Sequence, residues 1–158
     1  MTTPNTPSGY DDDLFEPSLT QSELRQLPAG ERPWRLGSQL YVAFFGGPLA
    51  AGAIGYLNGR RLGLPSARLG AILAIGVGGL VALALAVSLI DTGVGPRPLI
   101  AVTGVAVFVA VRELQKKADR LYAVRLDDKQ AYDSLWGPGL GIVLLCGIFS
   151  AIVLVSVT

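Results

Sequence analysis

Four groups of residues in this chain have types and spacings that chemistry can use. Asp127, Asp128 and Asp133 stand close together with Lys129 among them, and clustered carboxylates are what a hard cation such as Mg²⁺ binds. Gly76-Val77-Gly78-Gly79 has the glycine density of a loop that cradles phosphate. Cys146 is the single thiol. Arg60, Arg61, Arg68, Arg112, Lys116 and Lys117 form a basic set of the kind that holds anionic lipid headgroups, at about 1 kcal/mol per nearby cation.

Each group also has a plainer reading. The aspartates suit a solvated loop that ends a helix. The glycine run lies inside an apolar stretch and lacks the Lys-Ser/Thr that a phosphate loop needs. Cys146 lies deep in the last apolar run, where a free cysteine packs as a small hydrophobe. The basic residues suffice as topology determinants. The chain has no histidine and one cysteine, which excludes a Cys/His zinc site, a Ser-His-Asp triad, a haem on axial histidine and an intrachain disulfide. The expectation is a protein that is not an enzyme, with no catalytic, cofactor-binding or metal-binding residues. A net charge of +1 gives no global reason to expect nucleic acid.

The elements that carry these residues are dominated by four apolar runs, at about 36–57, 69–90, 98–111 and 139–157. The chain is 51% hydrophobic and 16% charged, with a mean hydropathy of +0.49. No charge interrupts the stretch between Arg68 and Asp91, long enough for a helix to cross the ~30 Å hydrocarbon core of a bilayer. The fold class is therefore all-α: a four-helix transmembrane bundle behind a polar, largely unstructured tail at residues 1–35, made acidic by Asp11, Asp12, Asp13 and Glu16. Within that tail Thr20-Gln21-Ser22-Glu23 reads as a capping box for a short helix. The tail lacks the basic and apolar regions of a signal peptide.

Pro48 predicts a kink in the first span. Trp34 and Tyr41 suit one headgroup region and Tyr56 the other. The third run would rise only about 21 Å as a helix, but Val111, Leu114, Ala118, Leu121 and Tyr122 recur at helical spacing and extend it as an amphipathic helix to about residue 126. None of the runs contains Asp, Glu, Lys, Arg or His, which argues against proton-coupled transport. Their polar members include Gln39, Ser88, Thr103, Cys146, Ser150 and Ser156; Ser88, Thr103 and Ser150 are expected to bond their own helix carbonyls.

Small residues recur every fourth position in the first two spans: Ala43, Gly47, Ala51, Gly55 and Gly59, then Ser66, Gly70, Ala74, Gly78, Ala82 and Ala86. Such stripes let helix backbones approach closely in lipid. Joined by a short loop, the two are expected to face each other, and they also offer a surface for self-association or for other membrane subunits. With four spans, the loops at 58–67 and 112–135 share a side and, with Arg68 at the far edge of the first, carry 9 Lys and Arg, against 4 at the tail, the second loop and the C-terminus. The positive-inside rule then places those two loops in the cytoplasm and both termini outside.

The segment Ala43-Phe44-Phe45-Gly46-Gly47-Pro48-Leu49-Ala50-Ala51-Gly52, followed by Asn58-Gly59-Arg60-Arg61-Leu62-Gly63, resembles a loose group of small bacterial multi-pass membrane proteins of unknown function. Their first span carries a Gly-Pro-Leu-Ala-Gly-type core followed by Asn and a basic Arg-Arg-Leu-Gly turn. Here Ala51 stands where the group has glycine, with Gly52 one place on. The resemblance implies a bacterial plasma-membrane location, points to Gly47, Pro48, Asn58 and Arg61, and transfers no activity; Asn58 would cap or stop the first span. The expected role is scaffolding or association with other membrane components. The alternatives are a passive transporter or pore component, or a lipid-handling membrane enzyme.

Overall fold

A computed structural model of the protein describes residues 32–89, 95–125 and 132–157. The acidic stretch, the capping box, Asp127, Asp128 and Lys129 lie outside the described residues. Among those residues the fold is all-α. A 3₁₀ turn, Leu36–Ser38, leads into α1 (Gln39–Arg61), followed by α2 (Ser66–Leu89), α3 (Arg97–Arg125) and α4 (Trp136–Val157). All four are long and apolar enough to cross a membrane. The third apolar run and the amphipathic stretch after it form one uninterrupted helix, α3.

α1 is not a straight rod. Gly47 has φ 74° and ψ −167°, a backbone region open essentially to glycine alone. Pro48 follows, and a proline with fixed φ and no N–H suits the first position of a new helix. The chain reverses there. The Trp34 N–H donates to Asn58 Oδ1 at 2.7 Å, although an unbroken helix would set Gln39 and Asn58 about 28 Å apart. Val42 on the first limb (residues 36–46) shares a core cluster with Ala50 and Ile54 on the second (residues 48–61). The kink expected at Pro48 is thus a full hairpin turn at Gly47-Pro48. Its second limb, from Pro48 to Asn58, is about 15 Å long, half the thickness of a hydrocarbon core.

The hairpin sits at the centre of the bundle. Its first limb lies against α4, where a Cβ on Gly139 would run into Tyr41 and Val42 and one on Gly46 would come within 3.2 Å of Val143 Cα. Its second limb lies against α2, with the Gly52 and Gly76 backbones in direct contact: a Cβ on Gly52 would stand 2.8 Å from Gly76 Cα. Both limbs pack on α3. A Cβ on Gly104 would collide with the Ala43 carbonyl oxygen and lie 3.0 Å from Gly47 Cα, and one on Gly55 would overlap Val111. Ala43, Ala51, Ile72, Val107, Phe108 and Val111 form the largest core cluster.

Two expectations about packing and topology need correction. The first concerns the small-residue stripes, which do not face each other. Ala43, Gly47, Ala51 and Gly55 are buried, but Ala43, Gly47 and Gly55 abut α3. Gly70, Ala74, Gly78 and Ala82 are exposed on the outer surface of α2, and nothing lies within 4 Å of where a Cβ would stand on Gly70 or Gly78. The reason is steric. Gly55 and Gly59 leave a hole in the second limb, and Ile72 fills it, its methyl carbons 3.3 and 3.4 Å from where their Cβ atoms would be. α2 therefore buries Ile72, Gly76, Leu80 and Leu83.

The second concerns the ends of the first run. Because the hairpin returns to its starting level, residues 32–35 and the turn after α1 share one end of the bundle, where they were expected on opposite sides. The Arg61 guanidinium donates to the Arg32 carbonyl at 2.9 Å. Trp34 is 3% exposed rather than set out as a headgroup anchor. The start of α2, the C-terminal part of α3 and the start of α4 meet at that same end, where Leu62, Leu64 and Tyr122 form a small core with Tyr132 packed on it. The end of α2, the start of α3 and the C-terminus of α4 lie at the other.

Candidate functional site

The polar chemistry of the bundle is concentrated where the hairpin closes. Asn58 and Gln115 are both fully buried. Asn58 accepts from the Trp34 N–H at 2.7 Å and donates through Nδ2 to Gln115 Oε1 at 2.9 Å. Gln115 Nε2 then donates to the Gly55 carbonyl at 2.6 Å. Two amides thereby tie three segments together: the extended residues before the hairpin, its second limb and α3. Buried amides are costly unless bonded, and this chain satisfies both. Asn58 is not the helix cap expected of it, because its side chain turns inward.

Arg61 closes the same end from outside. Its guanidinium lies 3.8 Å from the centroid of the Trp34 ring and 3.7 Å from the Asp133 carboxylate. The Asp133 N–H donates to the Pro33 carbonyl at 3.0 Å, forming an isolated bridge between Trp34 and Asp133. The pair with Asp133 adds little, since that carboxylate is 59% exposed. The contact of the guanidinium over the Trp34 ring is the stronger part, and lysine cannot reproduce the delocalised, weakly hydrated cation that makes it. Arg61→Lys is therefore expected to destabilise by about 1 kcal/mol, nearly as much as Arg61→Ala, while Asp133→Asn stays within about 0.5 kcal/mol. Thermal unfolding in mild detergent, followed by tryptophan fluorescence, measures all three.

Beside this closure lies a cavity of about 640 Å³, lined by Arg35, Arg112, Lys116, Asp119, Arg120 and Tyr132, with Leu36 and Gly37 on the hairpin side. A second cavity of about 440 Å³ shares Arg35 and Tyr132 and continues to Tyr41, Ser134 and Trp136. The Arg35 guanidinium stands 5.4 Å from the Tyr132 ring centroid, so this pair forms the wall between the two. The Tyr132 hydroxyl donates to Asp119 Oδ1 at 3.2 Å.

Burial of the Tyr132 phenol, and then the neighbouring Asp119 carboxylate, push its pKa from 10.0 up to about 12. Both disfavour phenolate. A raised folded-state pKa means that the contribution to stability is fully present below pH 10 and is lost as pH rises through about 12. The near-ultraviolet phenolate band missing from Tyr132→Phe is expected to appear near pH 12 in the parent protein, and at lower pH in Asp119→Asn. Titration at the usual tyrosine pH in both proteins would refute the assignment.

Of the basic residues singled out from sequence, Arg112 and Lys116 line the cavity and Arg61 forms the clamp. Arg60, Arg68 and Lys117 are exposed at the same end. Asp133 pairs with Arg61, and among the described residues no group of three His, Cys, Asp or Glu is placed to hold a metal ion. Ser88 and Thr103 bond the carbonyls of Ala84 and Leu99, whereas the buried Ser150 hydroxyl has no partner among the described residues, nor does the buried Gln39 Nε2.

Gln115 and Asp119 were not singled out from the sequence, and Arg35 and Arg120 counted there only among the charges that set topology. A signal existed for Gln115, which interrupts the apolar line through Val111, Ala118 and Tyr122 at the spacing of one helix face. No protein-family model, curated protein or solved structure matches the chain.

Proposed function

We propose that the protein is a non-enzymatic component of the bacterial plasma membrane that acts by associating with other membrane components, itself included, through the outer face of α2. The observation that carries this reading is the stripe of Gly70, Ala74, Gly78 and Ala82, left exposed because the hairpin supplies its own glycines to the interior. Small residues on a lipid-facing helix leave a shallow groove into which a second helix packs closely.

The orientation follows the charges. Arg32, Arg35, Arg60, Arg61, Arg68, Arg112, Lys116, Lys117 and Arg120 lie at the hairpin's open end, and Arg97 alone among the described side chains lies at the other. The positive-inside rule assigns the open end to the cytoplasm. Residues 32–35 are then cytoplasmic and the C-terminal end of α4 external, which revises the two external termini expected from four simple spans.

Both parts are testable in a Cys146→Ala background. Single cysteines at Ala74 and Gly78 are expected to crosslink in native membranes into a product of defined mass, and Gly70→Leu/Gly78→Leu to abolish the product formed through a cysteine at Ala74. A monomer at both positions would sink the association reading. For orientation, a cysteine at Arg97 should react with an impermeant maleimide on intact cells, and one at Arg68 only after lysis. The reverse pattern would invert the assignment.

A further inference from the structure

We propose that the basic cavity between the start of the hairpin and α3 binds the phosphate of an anionic glycerophospholipid from the leaflet at the hairpin's open end. Its lining sets four cations, Arg35, Arg112, Lys116 and Arg120, against one carboxylate, Asp119. Arg112, Lys116 and Arg120 stand at successive four-residue steps on one face of α3, where like charges repel. Asp119 already accepts from Tyr132, and Lys116 has only a long contact of 3.4 Å with Glu113. An anion in the cavity removes the repulsion and joins α3 to Arg35 on the opposite wall. The volume of about 640 Å³ is in the range of small-ligand sites and accommodates a glycerophosphate headgroup.

The surface below the cavity assigns that phosphate to a lipid. From Leu36 the first limb continues through Leu40 and Phe44, one and two turns on, both exposed. From Arg112, α3 continues through Val109 and Val102, also exposed. Both elements that hold the cations thus carry an apolar stripe from the cavity toward the membrane interior. That is what two acyl chains beneath a bound headgroup require, and a soluble phosphate ester has no use for it. The arrangement is a basic pocket between helices at the membrane surface, the form in which anionic headgroups are held.

The test uses the full chain in mild detergent, with retained lipid measured by native mass spectrometry. Phosphatidylglycerol should be kept over phosphatidylcholine of the same acyl chains. Arg112→Gln/Lys116→Gln should lose about 30-fold in phosphatidylglycerol affinity, about fivefold per cation. Arg60→Gln/Lys117→Gln, which removes equal charge from the same end but outside the cavity, should lose less than about threefold, because exposed charges at a distance are screened. Arg35→Gln/Arg120→Gln gives an independent reading from the other cations and should match the first pair. Equal losses from the cavity and non-cavity pairs, or no loss from either cavity pair, would overturn the site. Displacement of the lipid by free glycerol 3-phosphate at matched concentration would overturn its assignment to a lipid.

Discussion

Gly47→Ala is expected to destabilise the protein by about 2–4 kcal/mol and to change the path of the chain before α2. Two effects add. The backbone at φ 74°, ψ −167° excludes a Cβ on conformational grounds. The new methyl would also stand 3.0 Å from Ile100 Cγ2, on a helix held by the rest of the bundle. Gly37→Ala is the control: it has no positive φ and no atom within 4 Å, and it should stay within about 0.5 kcal/mol.

The replacement has a second readout. If the turn fails, residues 36–61 can run as one helix of about 39 Å, enough to cross the bilayer, and residues before it then move to the opposite side. A cysteine at Ser38, in the Cys146→Ala background, reports this by its reaction with an impermeant maleimide. An unfolding midpoint and an accessibility both equal to those of the parent would mean that the hairpin does not depend on Gly47.

The second large effect concerns the amides. Asn58→Leu keeps the number and branching of side-chain heavy atoms but strands the Trp34 N–H and the Gln115 oxygen, which Asn58 satisfies at 2.7 and 2.9 Å. Each stranded buried group costs about 1–3 kcal/mol, so a loss of about 3 kcal/mol is expected. Gln115→Leu strands the Asn58 Nδ2 and removes the side-chain bond to the Gly55 carbonyl, and should cost about 1–3 kcal/mol. In the double variant the Asn58–Gln115 pair disappears from both sides, leaving only backbone groups unsatisfied. The double variant should therefore cost less than the sum of the singles by at least about 1 kcal/mol. Strict additivity in chemical unfolding would show that the two amides act separately.

How far the fold could be read in advance depended on which physical rule governed each element. Length and hydropathy are local properties, so the four apolar helices and the continuation of the third into its basic amphipathic stretch were legible. Pro48 was legible as an interruption, but not its severity. A proline alone bends a membrane helix; here the preceding Gly47 takes a positive φ, and whether glycine uses that freedom is decided by tertiary contacts such as Gly104 against Ala43.

The orientation of the small-residue stripes failed for a related reason. Four-residue periodicity identifies a face but not its neighbour, and Ile72 filled the glycine hole that the Gly70–Ala82 face was expected to meet. The site was partly legible. Arg61, Arg112 and Lys116 were found as cations, and Asn58 as a position of note. Arg120 follows Lys116 by four residues on the same face of α3, but Arg35 acquires its relation to that set only when the hairpin brings residue 35 back beside α3.

The contact between Asn58 and Gln115 spans 57 residues, and that separation orders events during synthesis. At about 5–20 residues per second, Gln115 is made about 3–11 seconds after Asn58. During that interval the segment that will occupy the middle of the bundle has neither its amide partner nor the Gly104 surface against which its turn rests. The first apolar element to be translated is thus completed only after the third has been made. Until then its own chain supplies neither the acceptor for the Asn58 Nδ2 nor the surface that backs the bent turn.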